Sequence, residues 1–141
     1  MDQSLVTAAD LSFLHDAELT LVAVDREDSK LCLGFRAAGQ STHRILFSRV
    51  LTLRIDNLQL QNVVSRVLVS DAGAGFGDDL ERVVRWTCSG SADALLISEQ
   101  NLRNHVARVR AGELRLLYVD PSWGAEIGVI AEGFYLSEGQ G

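Results

Sequence analysis

Between residues 18 and 70 the sequence alternates apolar and polar residues almost without interruption, and this constrains the fold more than any other feature. Glu18-Leu-Thr-Leu-Val-Ala-Val-Asp25 and Lys30-Leu-Cys-Leu-Gly-Phe-Arg36 are short apolar runs separated by Arg26-Glu-Asp-Ser29. Leu31, Leu33 and Phe35 alternate with smaller or polar neighbours, the period of a half-buried strand, so the pair reads as a β-hairpin with a polar turn. A turn over 37–42, with Gly39, leads into a longer strand from His43 to Asp56, with Ile45, Phe47, Leu51, Leu53 and Ile55 on one parity. Arg49 breaks that face, which points to a bulge or to a functional arginine. Leu58 to Ser70 continues the alternation through Val63, Val67 and Val69, with Ser65 interrupting. Four strands in close succession, with no room for helical crossovers between them, pair antiparallel.

After residue 70 the pattern changes. Asp78 and Glu81 have the spacing of a capping box, and Leu80, Val83, Val84 and Thr87 follow at helical spacing, predicting a short helix over 79–87. Ser89–Asp93 reads as a loop, and Ala94–Ile97 as a buried strand or a lead-in to a helix. Ser98 is a second N-cap candidate, with Ile97 and Leu102 placed as a hydrophobic staple. Leu102, Val106 and Val109 line one face, and Gly112 marks the stop. Strands over 114–120 and 125–136 flank Pro121-Ser-Trp-Gly124, a turn signal. The last residues, 137–141, read as a frayed tail. The expected fold is α+β: a single domain of 141 residues with a mostly antiparallel sheet or partly closed barrel and two short helices.

Composition narrows the function classes. The formal net charge is −6 and Lys30 is the only lysine, so an acidic surface with scattered arginines disfavours nucleic-acid phosphate and allows a basic partner protein. No apolar run approaches the roughly 20 residues of a membrane-spanning helix. Met1-Asp2-Gln3-Ser4 lacks the basic and apolar regions of a secretion signal, and Cys32 and Cys88 sit far apart in apolar contexts, which reads as reduced core thiols in a cytoplasmic protein.

Val67-Leu-Val-Ser-Asp71-Ala-Gly73-Ala-Gly75-Phe-Gly77 runs from an apolar strand through an acid and three alternating glycines to a helix start. Glycines there let backbone approach a ligand, and the helix N-terminus offers free N–H groups. The segment resembles motif I of class I methyltransferases and, in part, the dinucleotide fingerprint. The resemblance implies a nucleotide or S-adenosylmethionine site on Asp71, Gly73, Gly75 and Gly77. Too few residues follow it for a doubly wound sheet, and antiparallel strands precede it, so the expected role is a flexible strand-to-helix connection that holds no cofactor. His15-Asp16 resembles the metal-binding pair of HD phosphohydrolases. His43 and His105 do not complete such a set, so this pair is expected to be structural, with no metal. Asp120, Glu126 and Glu132 could share a cleft, or lie on a solvated strand face. No catalytic residues are assigned.

Phe13-Leu-His-Asp-Ala17 before a hairpin, Ile45-Leu-Phe47 with Val50, Gln61-Asn-Val-Val64 and Gly124-Ala-Glu-Ile127 together resemble small bacterial proteins of unknown function, some of them immunity-like. That resemblance implies a non-catalytic protein-binding domain of the toxin-neutralising, immunity-like kind, and the alternatives are the nucleotide or S-adenosylmethionine reading and a small-ligand module. The residues expected to meet a basic partner are Asp25, Glu27, Asp28, Glu126 and Glu132, with Trp123 as an apolar anchor.

Overall fold

The structure, a computed structural model, describes residues 6–7, 9–71 and 76–139. A 3₁₀ turn over Ala9–Leu14 leads into β1 (Glu18–Asp25), β2 (Lys30–Arg36), β3 (Thr42–Asp56) and β4 (Val63–Val69). A 3₁₀ turn at Gly77–Asp79 and the helices α1 (Leu80–Thr87) and α2 (Glu99–Arg110) follow, then β5 (Arg115–Trp123) and β6 (Glu126–Gly139). The six strands close into an antiparallel barrel in the order β1-β2-β3-β6-β5-β4. This is the α+β architecture, with two short helices, that the alternation implies.

The first hairpin falls where the pattern places it, with Asp25 opposite Lys30 and Leu19 opposite Phe35. Leu19, Leu31, Leu33, Phe35, Ile45 and Phe47 fill the barrel with Val64, Val67, Val69, Val119, Ile127 and Val129. Burying each such side chain contributes about 1.5–3 kcal/mol. The turn at Ala9–Leu14 covers one mouth, placing Leu11 and Leu14 in the same core.

β3 cannot keep one parity along its length. Arg49 takes a left-handed backbone (φ 51°), and the register with β6 shifts between Val50 and Thr52. The inward positions therefore step from Phe47 to Val50 and then Leu53, while Leu51, expected inside, is exposed. The break at Arg49 is thus real, with the bulge two residues further on. β4 also begins later than the alternation suggests: 57–62 is a loop. Register shifts around Ser65 send Val64 rather than Val63 into the core.

A second core lies outside the barrel, where α1 and α2 cover β5 and β6. Val83, Val84, Leu102, Val106 and Val109 pack on Leu114, Leu116 and Ile130. Gly128 permits this approach: a Cβ there would stand 2.2 Å from the Thr87 hydroxyl and 3.1 Å from the Trp86 ring. Arg54, 10% exposed at its side chain, clamps the same contact. It donates to Asp56 (3.1 and 2.9 Å), to Asp93 (2.8 Å) and to the Trp86 carbonyl (2.9 Å), and its guanidinium lies 4.4 Å over the Trp86 ring.

Several local expectations change. Asp78 does not cap α1: it sits in the 3₁₀ turn, and Asp79, at the N-cap, makes no side-chain capping bond. The chain enters α1 already in right-handed backbone geometry (Asp79 φ −86°, ψ −4°), whereas a capping side chain needs the extended conformation. Ser98 has that conformation (ψ 157°), and its hydroxyl accepts from the Asn101 N–H at 3.0 Å. Ala94–Ile97 is no strand: one bridge joins Ser89 to Leu95, and Leu96 is exposed. Pro121 and Trp123 belong to β5, leaving the turn to Gly124 (φ 86°) and Ala125. Residues 137–139, expected to fray, extend β6 against 42–44. Cys88 is buried, its thiol pushed up to about 11 by desolvation, whereas Cys32 is only half-buried and faces outward.

Replacing Gly128 with alanine should destabilise the protein by about 1–3 kcal/mol, since backbone and a buried hydroxyl must both shift; urea unfolding measures this directly. A second prediction concerns pH. Burial, and then the nearby Arg108 charge, push the His105 imidazole below its ordinary value of 6.5. The folded chain therefore holds fewer protons on His105 than the unfolded chain. This contribution is unfavourable below the folded value and fades as pH rises through 6.5. Melting temperatures between about pH 8 and 5 should fall less in His105→Gln than in wild type.

Candidate functional site

The residues of the glycine motif are split by the fold. β4 pairs antiparallel with β5, so the strand-helix-strand order after Asp71 is not a parallel βαβ unit. Asp71 accepts from Arg115 (3.3 Å), whose side chain is 8% exposed. Arg115 also donates to the Val6 carbonyl and lies 4.3 Å over the Phe134 ring. Burial lowers the Arg115 pKa and the Asp71 carboxylate opposes that shift. The acid thus compensates a buried guanidinium at the barrel mouth. Gly77 has a left-handed backbone (φ 57°) where the chain turns into α1, while Gly73 and Gly75 lie outside the described residues.

His15 and Asp16 pair with each other at 3.2 Å, both largely exposed. Among the described residues, no group of three or more His, Cys, Asp or Glu side chains is arranged to hold a metal ion. Of the three carboxylates read as sharing a cleft, Asp120 and Glu126 both act on Tyr118, and Glu132 stands apart. Glu126 accepts from the Tyr118 hydroxyl. Burial and then this carboxylate push the Tyr118 pKa well up, with Asp120 contributing. Asp120 binds Arg66 at 3.0 Å, and Glu132 stands 3.9 Å from Arg49. Six residues of extended strand, about 20 Å, separate Glu126 from Glu132.

The candidate partner-binding residues form two groups. Asp25, Glu27 and Asp28 occupy the exposed hairpin turn, where the Asp28 N–H donates to the Asp25 carboxylate at 3.2 Å. Glu27 and Asp28 line a cavity of about 680 Å³ with Arg49 and Glu132. Trp123, 63% exposed, ends β5 opposite Val63, and Glu126 lies just beyond the turn.

A further surface was not foreseen in the pattern. β1 meets β4 at a single register pair, Glu18 with Val63, assisted by the Leu19 N–H donating to the Asn62 carbonyl at 2.9 Å. Beyond Leu19, no described strand pairs with that edge of β1, which opens onto a groove of about 420 Å³. Exposed Leu21, Leu58 and Leu60 line it. Alternation made Leu58 and Leu60 look like strand residues. The Asn62 side chain instead folds 57–62 into a loop, accepting from the Gln59 and Ala125 N–H groups, both at 2.9 Å, and donating to the Gln59 carbonyl at 2.7 Å. No helix among the described residues is long and apolar enough to cross a membrane.

Comparison of the chain with protein-family models, curated proteins and solved structures finds no match.

Asp71→Ala should cost about 1–3 kcal/mol, because it strips the compensating charge from a buried guanidinium. Chemical denaturation of this variant separates the two roles of Asp71: an acid held free for a ligand would leave stability at the wild-type value.

Proposed function

We propose that this chain is a non-catalytic protein-binding domain that receives an extended segment of a partner along the free edge of β1. The observation that carries this reading is the composition of that edge. Thr20-Leu-Val-Ala-Val24 contains no charge and no proline, and only the bulge beside Thr20 interrupts its ladder. Unpaired strands of this kind expose a row of backbone donors and acceptors, and proteins ordinarily blunt them with charge, proline or a covering loop. An edge left apolar beside Leu21, Leu58 and Leu60 suits strand addition, in which backbone bonds give affinity and alternate side chains fill flanking pockets.

Charge favours a basic partner. The edge ends at Asp25, and the turn continues with Glu27 and Asp28 beside Arg26 and Lys30, so a lysine or arginine at one end of the incoming segment meets a turn with an excess of one carboxylate. Such complementarity speeds encounter more than it strengthens the bound state. A toxin-neutralising protein covering a basic toxin fits this description, in the cytoplasm where such a toxin acts. Trp123, Glu126 and Glu132 then belong to the periphery of the contact or outside it.

The test uses partner captured from the source cells on immobilised wild-type protein. Leu60→Asp and Leu58→Asp change exposed side chains and leave the core untouched, and each should weaken capture at least tenfold. Hydrogen exchange of the complex should slow at Thr20–Val24, and association should slow as salt rises. A stoichiometric complex whose β1 amides exchange as fast as in the free protein would overturn the edge as the docking site.

A further inference from the structure

We infer that the outer face of β1, β2 and β3 holds a binding site for an organic phosphate, centred on Arg36 and Arg44. The two arginines are diagonal neighbours on adjacent strands, since Arg36 lies opposite Thr42 and Gly34 lies opposite Arg44. Such diagonals stand about 7–8 Å apart, close enough for two long side chains to close on one group. Both arginines are exposed, and both line one cavity of about 500 Å³ with Thr20, Leu21, Gln40 and Thr42. No carboxylate lines it.

Arg36 and Arg44 differ from the larger share of the arginines, which pair with carboxylates. Seven of its twelve arginines form ion pairs among the described residues. Glu18 stands opposite Arg36 in the ladder and forms no ion pair with it. In a chain of net charge −6, two adjacent guanidinium groups, with Glu18 across the ladder from one of them, leave a local excess of positive charge. Neighbouring like charges on a sheet repel, and an anion bound between them removes that repulsion. Guanidinium forks from two strands and the hydroxyl of Thr42 supply donors from several directions, which suits the tetrahedral oxygens of a phosphate.

One row further along the same face, the surface becomes apolar. Cys32 lies opposite Leu46, and Leu46 opposite Tyr135. These three side chains line an adjoining groove of about 390 Å³, together with Val24 and the facing pair Asp25 and Lys30. The Arg44 charge also reaches the Cys32 thiol, opposing the upward shift that burial imposes, so the basic and apolar parts face the same space. The site therefore takes a phosphate monoester, with its phosphate between Arg36 and Arg44 and an apolar body over Leu46 and Tyr135. This inference does not rest on the proposed strand addition, although Thr20, Leu21 and Arg36 line both this cavity and the groove beside the β1 edge.

Titrations followed by amide chemical shifts test it, using phenyl phosphate, inorganic phosphate and phenol as probes on the intact protein. Phenyl phosphate should move the Thr20, Gly34 and Arg44 signals saturably and bind at least tenfold more tightly than inorganic phosphate, with phenol inert. Arg36→Gln and Arg44→Gln should each weaken phenyl phosphate at least tenfold with unchanged melting temperature, both side chains being exposed. Leu46→Ser should narrow the preference for phenyl phosphate over inorganic phosphate. Equal affinity for those two probes overturns the assignment to an organic ligand. Shifts that never saturate, or that survive in both arginine variants, overturn the site itself.

Discussion

Closure of the barrel rests on one long strand that keeps one partner throughout, shares a second over its first half and bends on the way. β3 pairs with β2 over Thr42–Phe47 and with β6 from Thr42 to Asp56, so it spans both halves of the barrel. A strand with strict period-two geometry could not keep apolar residues inside through such a bend. The left-handed Arg49 and the bulge after Val50 reset the parity, and β6 makes the same three-residue step from Phe134 to Ala131. The two aromatic rings at the bend, Phe47 and Phe134, pack with centroids 5.3 Å apart. Arg49 and Glu132 turn outward where the two strands step together, which explains why a charged residue interrupts an otherwise apolar face.

The bent strand also explains the position of the helices. Its second half carries Arg54 and runs beside β6, whose Gly128 leaves room for α1. Four hydrogen bonds and a ring contact from one nearly buried arginine join β3, α1 and the turn at Asp93. Ala92 and Asp93 both have positive φ in that turn (59° and 56°), an unfavourable geometry for residues with a Cβ. The carboxylate at Asp93 and the turn that presents it are held by the guanidinium on the far strand. The helical layer is thus secured through polar contacts to the barrel as well as through its apolar face.

Local pattern carried the hairpin, β3 and α2 because each is specified by neighbours in sequence. The bounds of β1 and β2 follow from alternation, and the Ser98 cap from the staple spacing of Ile97 and Leu102. Leu58 and Leu60 misled because a period of two says nothing about whether a partner strand exists. Asp71 misled for a related reason: its role is set by Arg115, 44 residues away, and no local spacing reveals that pairing. The same holds for Arg54, whose partners Trp86 and Asp93 lie 32 and 39 residues on. Parity does place Arg36 and Arg44 on outward positions, but their adjacency needs the β2–β3 register.

The distribution of charge connects these observations. Arg54 and Arg115 are nearly buried and satisfied by carboxylates, where an unpaired charge would be costly. Arg66, Arg85 and Arg108 pair at the surface, where each contact is worth little, about 0–1 kcal/mol. Their acids are nonetheless neutralised locally, so the field outside the protein is set by the groups left over. On the β1–β2 hairpin, the turn sets Asp25, Glu27 and Asp28 against Arg26 and Lys30, an excess of one negative charge, and the other end sets Arg36 and neighbouring Arg44 against Glu18, an excess of one positive charge. The free edge of β1 therefore runs from a slight positive excess to a slight negative one, and a segment aligned along it meets a weak polarity that favours one direction of docking over the other before any side chain is buried.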